Sequence, residues 1–194
     1  MLTGFTLVVT LIVAYAALRE GMLTAITTLV NICIAGLFAF EFFEPLAEEL
    51  DGLLRGTFLA GFEDCLSLFV LFAPVLAGLR FLTNNLASQE VELPPLMQQV
   101  GAGVVALVSG YLLSGILVVF FQMMPWSENF LDFQYQIEPN APKVRQYLPP
   151  DRLWLSFMNR AGSGPFSQGD AVTFDPEGTF GIRYARMRRY KDTQ

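Results

Sequence analysis

The stretch AYAALREGMLTA, Ala14 to Ala25, decides how the chain is read. One adjacent charged pair, Arg19 and Glu20, separates two long apolar runs. Upstream, Leu2–Leu18 carries no charge; downstream, Met22–Phe40 carries none either. A water-soluble core interrupts its apolar residues far more often than this. A bilayer asks for the opposite, about 20 apolar residues per crossing of a hydrocarbon layer ~30 Å thick. LREG therefore reads as a tight turn at one membrane face. The charged pair sits at the water there, and Gly21 lets the chain reverse.

Working outward, three further apolar segments follow the first: Met22–Phe43, Phe62–Leu82 and Val100–Met124. Lipid offers no hydrogen bonds, so a crossing segment must satisfy its own backbone as a helix. The expected fold is an all-α integral membrane protein with four transmembrane helices in two antiparallel hairpins, followed by a soluble C-terminal tail. Leu2–Ala16, ending in AYA, also has the apolar core of a secretory signal. No Lys or Arg precedes it, however, and a signal normally begins basic; the expectation is an uncleaved first helix.

Composition agrees with a membrane reading. Of 194 residues, 53% are hydrophobic and 15% charged, with mean hydropathy +0.45, against about 25% charged residues in a soluble domain. The net charge of −6 is uneven. Residues 1–121 set three arginines against ten acids, whereas residues 122–194 are nearly balanced. No dense basic patch occurs before the last ten residues, which argues against a nucleic-acid partner. The chain has no histidine, so His-activated nucleophiles and His-ligated metals are excluded. There is no phosphate-binding glycine loop, no metal-ligand spacing and no catalytic grouping, so neither a cofactor nor enzymatic activity is expected. Cys33 and Cys65 lie in apolar runs and read as small buried hydrophobes.

Three domains are expected: a transmembrane unit 1–124, a Pro-rich linker 125–150 and an extramembrane tail 151–194. EPNAPKVRQYLPPD (138–151) contains four prolines and reads as a semi-rigid spacer. RLWLSFMNRAGSG (152–164) has the pattern of a short amphipathic helix ended by Gly162. AVTFDPEGTFGIRY (171–184) reads as a β-hairpin, with Asp175, Pro176 and Gly178 in positions a type I turn favours. An isolated hairpin is marginal, so the tail should pack on the membrane unit, a second copy or a partner. Arg186, Arg188, Arg189 and Lys191, interleaved with Tyr184 and Tyr190, suit anionic headgroups, a partner surface or a solvated strand end.

Orientation rests on arginines near the spans. With the amino terminus outside, Arg19 and Arg80 face the cytoplasm. The acidic connection EPLAEELDGLLRG (44–56) and the tail then face out, because distal segments translocate largely regardless of charge.

Residues with possible chemistry are few. Gly103, Ala106, Gly110 and Ser114 share one face of the fourth helix, and small residues let helix backbones approach in lipid. Thr24, Thr28, Asn31, Ala35 and Ala39 form a similar stripe on the second. Each stripe admits an intramolecular packing seam or a homo-oligomer seam. Asn31 in mid-span should hydrogen-bond across helices. Glu41, Glu63 and Asp64 are candidate ion or proton groups, since acids at membrane depth are costly; equally, the start of a helix favours the carboxylates of Glu63 and Asp64. Pro74 frees the Val70 carbonyl and predicts a kink, and Gly78 one turn later allows a close helix approach.

Taken together, ALREGMLTAI (17–26), GFEDCLSLFVLFAPVLAGLRFLTNNL (61–86) and VGAGVVALVSGYLLSGILVVFF (100–121) resemble the CvpA family, the bacterial colicin V production proteins, over about residues 3–124. Glu20 here separates an arginine and a glycine that the family pattern keeps adjacent. The resemblance implies a four-helix protein of the bacterial inner membrane, tied to production or export of a peptide toxin and to envelope maintenance, with no catalytic residue to carry over. The expected partners are the lipid bilayer, a second copy, and an envelope or export protein met through the tail. The rival reading is a small oligomeric channel or transporter using Asn31, Glu41, Glu63 and Asp64.

Overall fold

The computed structural model describes residues 2–54, 56–86, 94–125, 149–162 and 180, and among these every regular element is helical. The helices are α1 (Leu2–Glu20), α2 (Met22–Leu54), α3 (Glu63–Leu86), α4 (Pro95–Met123) and α5 (Pro150–Gly162). Three are long and apolar enough to cross a membrane: Met22–Leu54, Glu63–Asn85 and Gln98–Met123, with hydropathies of 2.0, 2.1 and 2.5. The apolar part of α1, Thr3–Ala16, is shorter; at 1.5 Å per residue it covers ~21 Å against a core of ~30 Å.

The turn between α1 and α2 forms as expected. Gly21 adopts φ 93°, a conformation that closes a helix and that a side chain would strain. Its carbonyl already accepts from the Ala25 amide at 3.1 Å, so one residue ends α1 and starts α2. Arg19 lies over the Tyr15 ring, 5.5 Å from its centroid, at this end of the helix.

Two features differ from the expectation. First, the stretch 44–56 is not simply a connection, because α2 continues through Pro45 to Leu54. Its Ala, Leu and Glu residues favour helix, and Pro45 removes only the bond to the Glu41 carbonyl. At 33 residues the helix is ~50 Å long, so roughly 20 Å, its acidic end, projects beyond a hydrocarbon core. The actual reversal falls within residues 56–62, where the amides of Thr57, Ala60 and Phe62 bond back to the carbonyls of Leu54, Thr57 and Leu59.

Second, the helices do not pair as two sequential hairpins. The extensive contacts are α2 with α3 and α1 with α4; α2 and α4 also pack, whereas α1–α2 and α3–α4 touch little. Leu18 faces Gly103 and Thr10 faces Gly110, so α1 and α4 run antiparallel. Met22 faces Gly101, and Gly36 lies near Ile116, so α2 and α4 run parallel. The small residues of α4 decide this: they admit the α1 backbone, which the bulkier α3 surface does not.

Near the α1–α2 turn the interior is made of small side chains, Ala14, Ala25, Ala102 and Ala106. The opposite end is aromatic. There Phe40 and Phe43 of α2, Cys65, Leu68 and Phe72 of α3, and Ile116, Val119 and Met123 of α4 enclose Trp154 and Met158 of α5. Helix α5, with its amphipathic sequence and its end at Gly162, agrees with the expectation for residues 152–164, and it packs on the membrane unit. The proposed hairpin, 171–184, lies outside the described residues except for Phe180, which is helical and packs 6.4 Å from Phe40 and Phe43. The basic end 184–191 also lies outside them. The cysteines are free; Cys65 is buried and Cys33 half-buried.

Candidate functional site

The α4 stripe lies against α1. A Cβ on Gly110 would sit 2.8 Å from the Thr10 carbonyl oxygen and 2.9 Å from its Cα, and one on Gly103 would touch Leu18. Ala106 is fully buried beside Ala14 and Ala25. Ser114 is buried and donates to the Tyr111 carbonyl at 2.7 Å, a local bond that spares the helix surface an orphan hydroxyl. Gly78 has nothing within 4 Å among the described residues. Among the described residues the close approach expected there occurs instead on α4.

The α2 stripe faces α3 and a cleft. Asn31 is buried, and its Nδ2 donates to Thr83 Oγ1 at 3.0 Å; Thr83 Oγ1 donates in turn to the Arg80 carbonyl at 3.2 Å. Thr28 and Asn31 line a cavity of about 410 Å³ between α1, α2, α3 and α4. Thr24 sits nearer the turn, half-buried, its carbonyl accepting from Thr27 Oγ1. Membrane interhelical bonds average about 0.6 kcal/mol, with a maximum near 1.7. Asn31→Leu should therefore lower the detergent-solubilised melting stability by roughly 1 kcal/mol without unfolding the bundle. Complete loss of folded protein in a thermal-shift assay would contradict this.

The acids are elsewhere. Glu41 is exposed on α2. Glu63 Oε1 accepts from the Gly61 amide at 2.7 Å, serving the start of α3. Asp64 follows in the same first turn, where a carboxylate complements the helix dipole. Glu63 and Asp64 lie ~30 Å along α3 from Thr83, the partner of Asn31. None of the three acids lines the cavity. Among the described residues no group of Cys, Asp and Glu could hold a metal.

The tightest junction involves residues that pattern reading passed over. Trp154 is fully buried. Its six-membered ring lies directly over Gly36 of α2, and Gly115 of α4 lies directly under the Pro150 carbonyl and the Trp154 Cβ. Phe40 meets the indole edge-on at 5.8 Å. Beside this contact, Gln122 Nε2 donates to Asp151 Oδ2 at 2.8 Å. Asp151 Oδ1 and Trp154 Nε1 are buried with no hydrogen-bond partner among the described residues. Gly36 falls one residue off the α2 stripe and Gly115 one off the α4 stripe. The available signal was the single tryptophan of an amphipathic segment, set against two glycines in apolar helices.

Long apolar helices and small-residue contacts between their backbones define a multi-pass helical membrane protein. Within that class the chain belongs to the Colicin V production protein family, whose model matches residues 2–137. The match takes in α1 to α4 and stops short of α5. No match was found among curated proteins or among solved structures.

Proposed function

We propose that this protein crosses the bacterial inner membrane four times, both termini on the periplasmic side, and supports production or export of a colicin V-type toxin together with envelope homeostasis. It acts without catalysis, through helix-face association and its C-terminal segment. Family membership supports the link to toxin production. The observation that carries the mode of action is the seating of Trp154 in the Gly36 and Gly115 gap. This seating couples the C-terminal segment mechanically to the membrane bundle, so a partner pulling on one end is felt by the other. Homo-oligomer formation and capture of an export protein are the two ways such coupling would be used.

Several features support four spans and this orientation. Helix α1 carries no charge from Leu2 to Leu18, 17 residues or ~25 Å, the short end of the range for a span. Arg19 sits at the α1–α2 turn and Arg80 in the same half of the bundle, in keeping with the bias of basic residues toward the cytoplasm. Reporter fusions after Arg19, Asp51, Asn84 and Gln194 should read cytoplasm, periplasm, cytoplasm and periplasm. A cytoplasmic signal at Gln194 would overturn the topology. Loss of toxin secretion in a deletion strain, restored by wild-type protein and not by Trp154→Ala, tests the mode of action; full restoration by the variant would refute it.

A further inference from the structure

We propose that α5 is a membrane-interface helix, set into the bilayer leaflet opposite the α1–α2 turn, with Leu153 and Phe157 against acyl chains and Arg152 and Arg160 at headgroup phosphates. Depth carries the argument. Trp154 rests on Gly36 of α2, ~21 Å beyond Met22 at the turn. That level falls about 9 Å short of the far side of a ~30 Å hydrocarbon core. Two markers agree on where the core ends. On α2 the first charged residue after Met22 is Glu41, ~7.5 Å past Gly36. On α4 the run from Ile116, which touches Gly36, meets its first polar residue at Gln122, ~9 Å further on. Short of these markers α2 turns Phe38 outward, as a surface facing lipid does.

Helix α5 has three sides at this level. Asp151, Trp154 and Met158 are buried against the bundle. Arg152, Ser156 and Arg160 follow one another at steps of four and are exposed. Leu153 and Phe157, also one turn apart, form a third strip and are 36% and 38% exposed. A helix docked on a bundle in water needs only a packed side and a polar side. Level accounts for the apolar third. Phe157 lies tilted against the indole at 5.4 Å, and the indole ring covers Gly36, so Phe157 sits inside the core boundary among lipid tails. Asp151 meets Gln122 at the boundary itself. An interfacial helix buries its apolar face by ~5–10 Å, the depth that separates Gly36 from Glu41 and Gln122. Tryptophan is favoured in this belt. The arginines reach out to phosphate level on long stems, and five N–H donors let each take a phosphate oxygen besides its contacts within the protein.

The proposal needs only the bundle in a membrane and stands apart from the export role. Full-length protein without Cys33 and Cys65, in bilayers of phosphatidylethanolamine and phosphatidylglycerol, is spin-labelled through Leu153→Cys, Phe157→Cys, Ser156→Cys or Arg160→Cys. All four positions are exposed, so the label does not enter the packed side. Collisions with oxygen, which concentrates among lipid tails, are compared with collisions with a water-soluble nickel chelate. Phe38→Cys on the outward side of α2 and Glu48→Cys on its projecting end calibrate lipid and water. Leu153→Cys and Phe157→Cys should match Phe38→Cys, with oxygen-to-nickel ratios severalfold above those of Ser156→Cys and Arg160→Cys, at a depth of ~5–10 Å. Nickel collisions at Leu153→Cys and Phe157→Cys equal to those at Glu48→Cys would put α5 in water. Few collisions with either reagent there would mean that protein covers the strip. Each of these two results would overturn the proposal.

Discussion

Gly110→Leu should pry α1 away from α4 and abolish function with it. The atoms facing Gly110 are the Thr10 carbonyl oxygen and Cα, at 2.8 and 2.9 Å from where a Cβ would stand. Both belong to the backbone of a helix, so neither can turn aside as a long side chain would. Overpacking of this kind costs about 1–3 kcal/mol. In lipid no hydrophobic drive holds two apolar helices together once their surfaces are spaced apart. The loss should spread along the seam, to the Leu18–Gly103 contact and to the edge-on Phe5–Phe121 pair at 5.4 Å. Cysteines replacing Leu18 and Gly103 in a background free of Cys33 and Cys65 report on the seam. Their disulfide yield should fall about tenfold in Gly110→Leu, equivalent to ~1.4 kcal/mol. Complementation of toxin secretion should fall with it. Gly78→Leu is the control, since that position has open space among the described residues and leucine favours helix over glycine. Undiminished cross-linking in Gly110→Leu would remove the α1–α4 pairing as a basis for the fold.

Trp154→Ala should release α5. The side chain is fully buried, and truncating a buried tryptophan to alanine costs about 3–5 kcal/mol. Met158 is buried with it, whereas Phe157 lies tilted against the indole at 5.4 Å and is 38% exposed. A Met158→Cys reporter, again without the native cysteines, should react with a membrane-impermeant maleimide at least tenfold faster in Trp154→Ala. The indole nitrogen has no partner among the described residues, and burying an unpaired donor is unfavourable. Trp154→Phe should therefore lose much less than Trp154→Ala, because the ring contact with Phe40 survives and the orphan N–H is gone. Gly115→Leu should mimic Trp154→Ala from the opposite wall. Equal maleimide rates in wild type and Trp154→Ala would mean that the docking of α5 contributes nothing.

These two sites differ in how far the sequence announces them. Gly110 stands out from its neighbours at helical spacing, because a run of small residues on one face of an apolar helix is a local property. Its partner on α1 does not stand out: Thr10 sits among valines and leucines and carries no mark of the contact. Trp154 was visible as part of an amphipathic stretch, yet nothing in that stretch names α2 and α4 as the surface it enters. The polar level at Asn31 was visible as a mid-span asparagine. That it bonds to Thr83, 52 residues later, and so fixes the polar end of a cleft was not. Glu41, Glu63 and Asp64 show the opposite case. They attract notice as acids near apolar runs, but the helices carry them away from Asn31, and Glu63 is taken up in starting α3.

Read alone, the chain determined its solvent, its helical character, the turn at Gly21 and the short helix ending at Gly162. Each follows from residues close together in sequence and from the thickness and dryness of a bilayer. The tertiary structure decided the rest: that α1 joins α4 and not α2, that α2 runs on to Leu54, and that α5 is anchored between Gly36 and Gly115. The reason is that lipid is as apolar as the helices themselves, so burial does not discriminate among partners. Close fit does, and fit belongs to pairs of surfaces, which a linear pattern of apolar and small residues does not record.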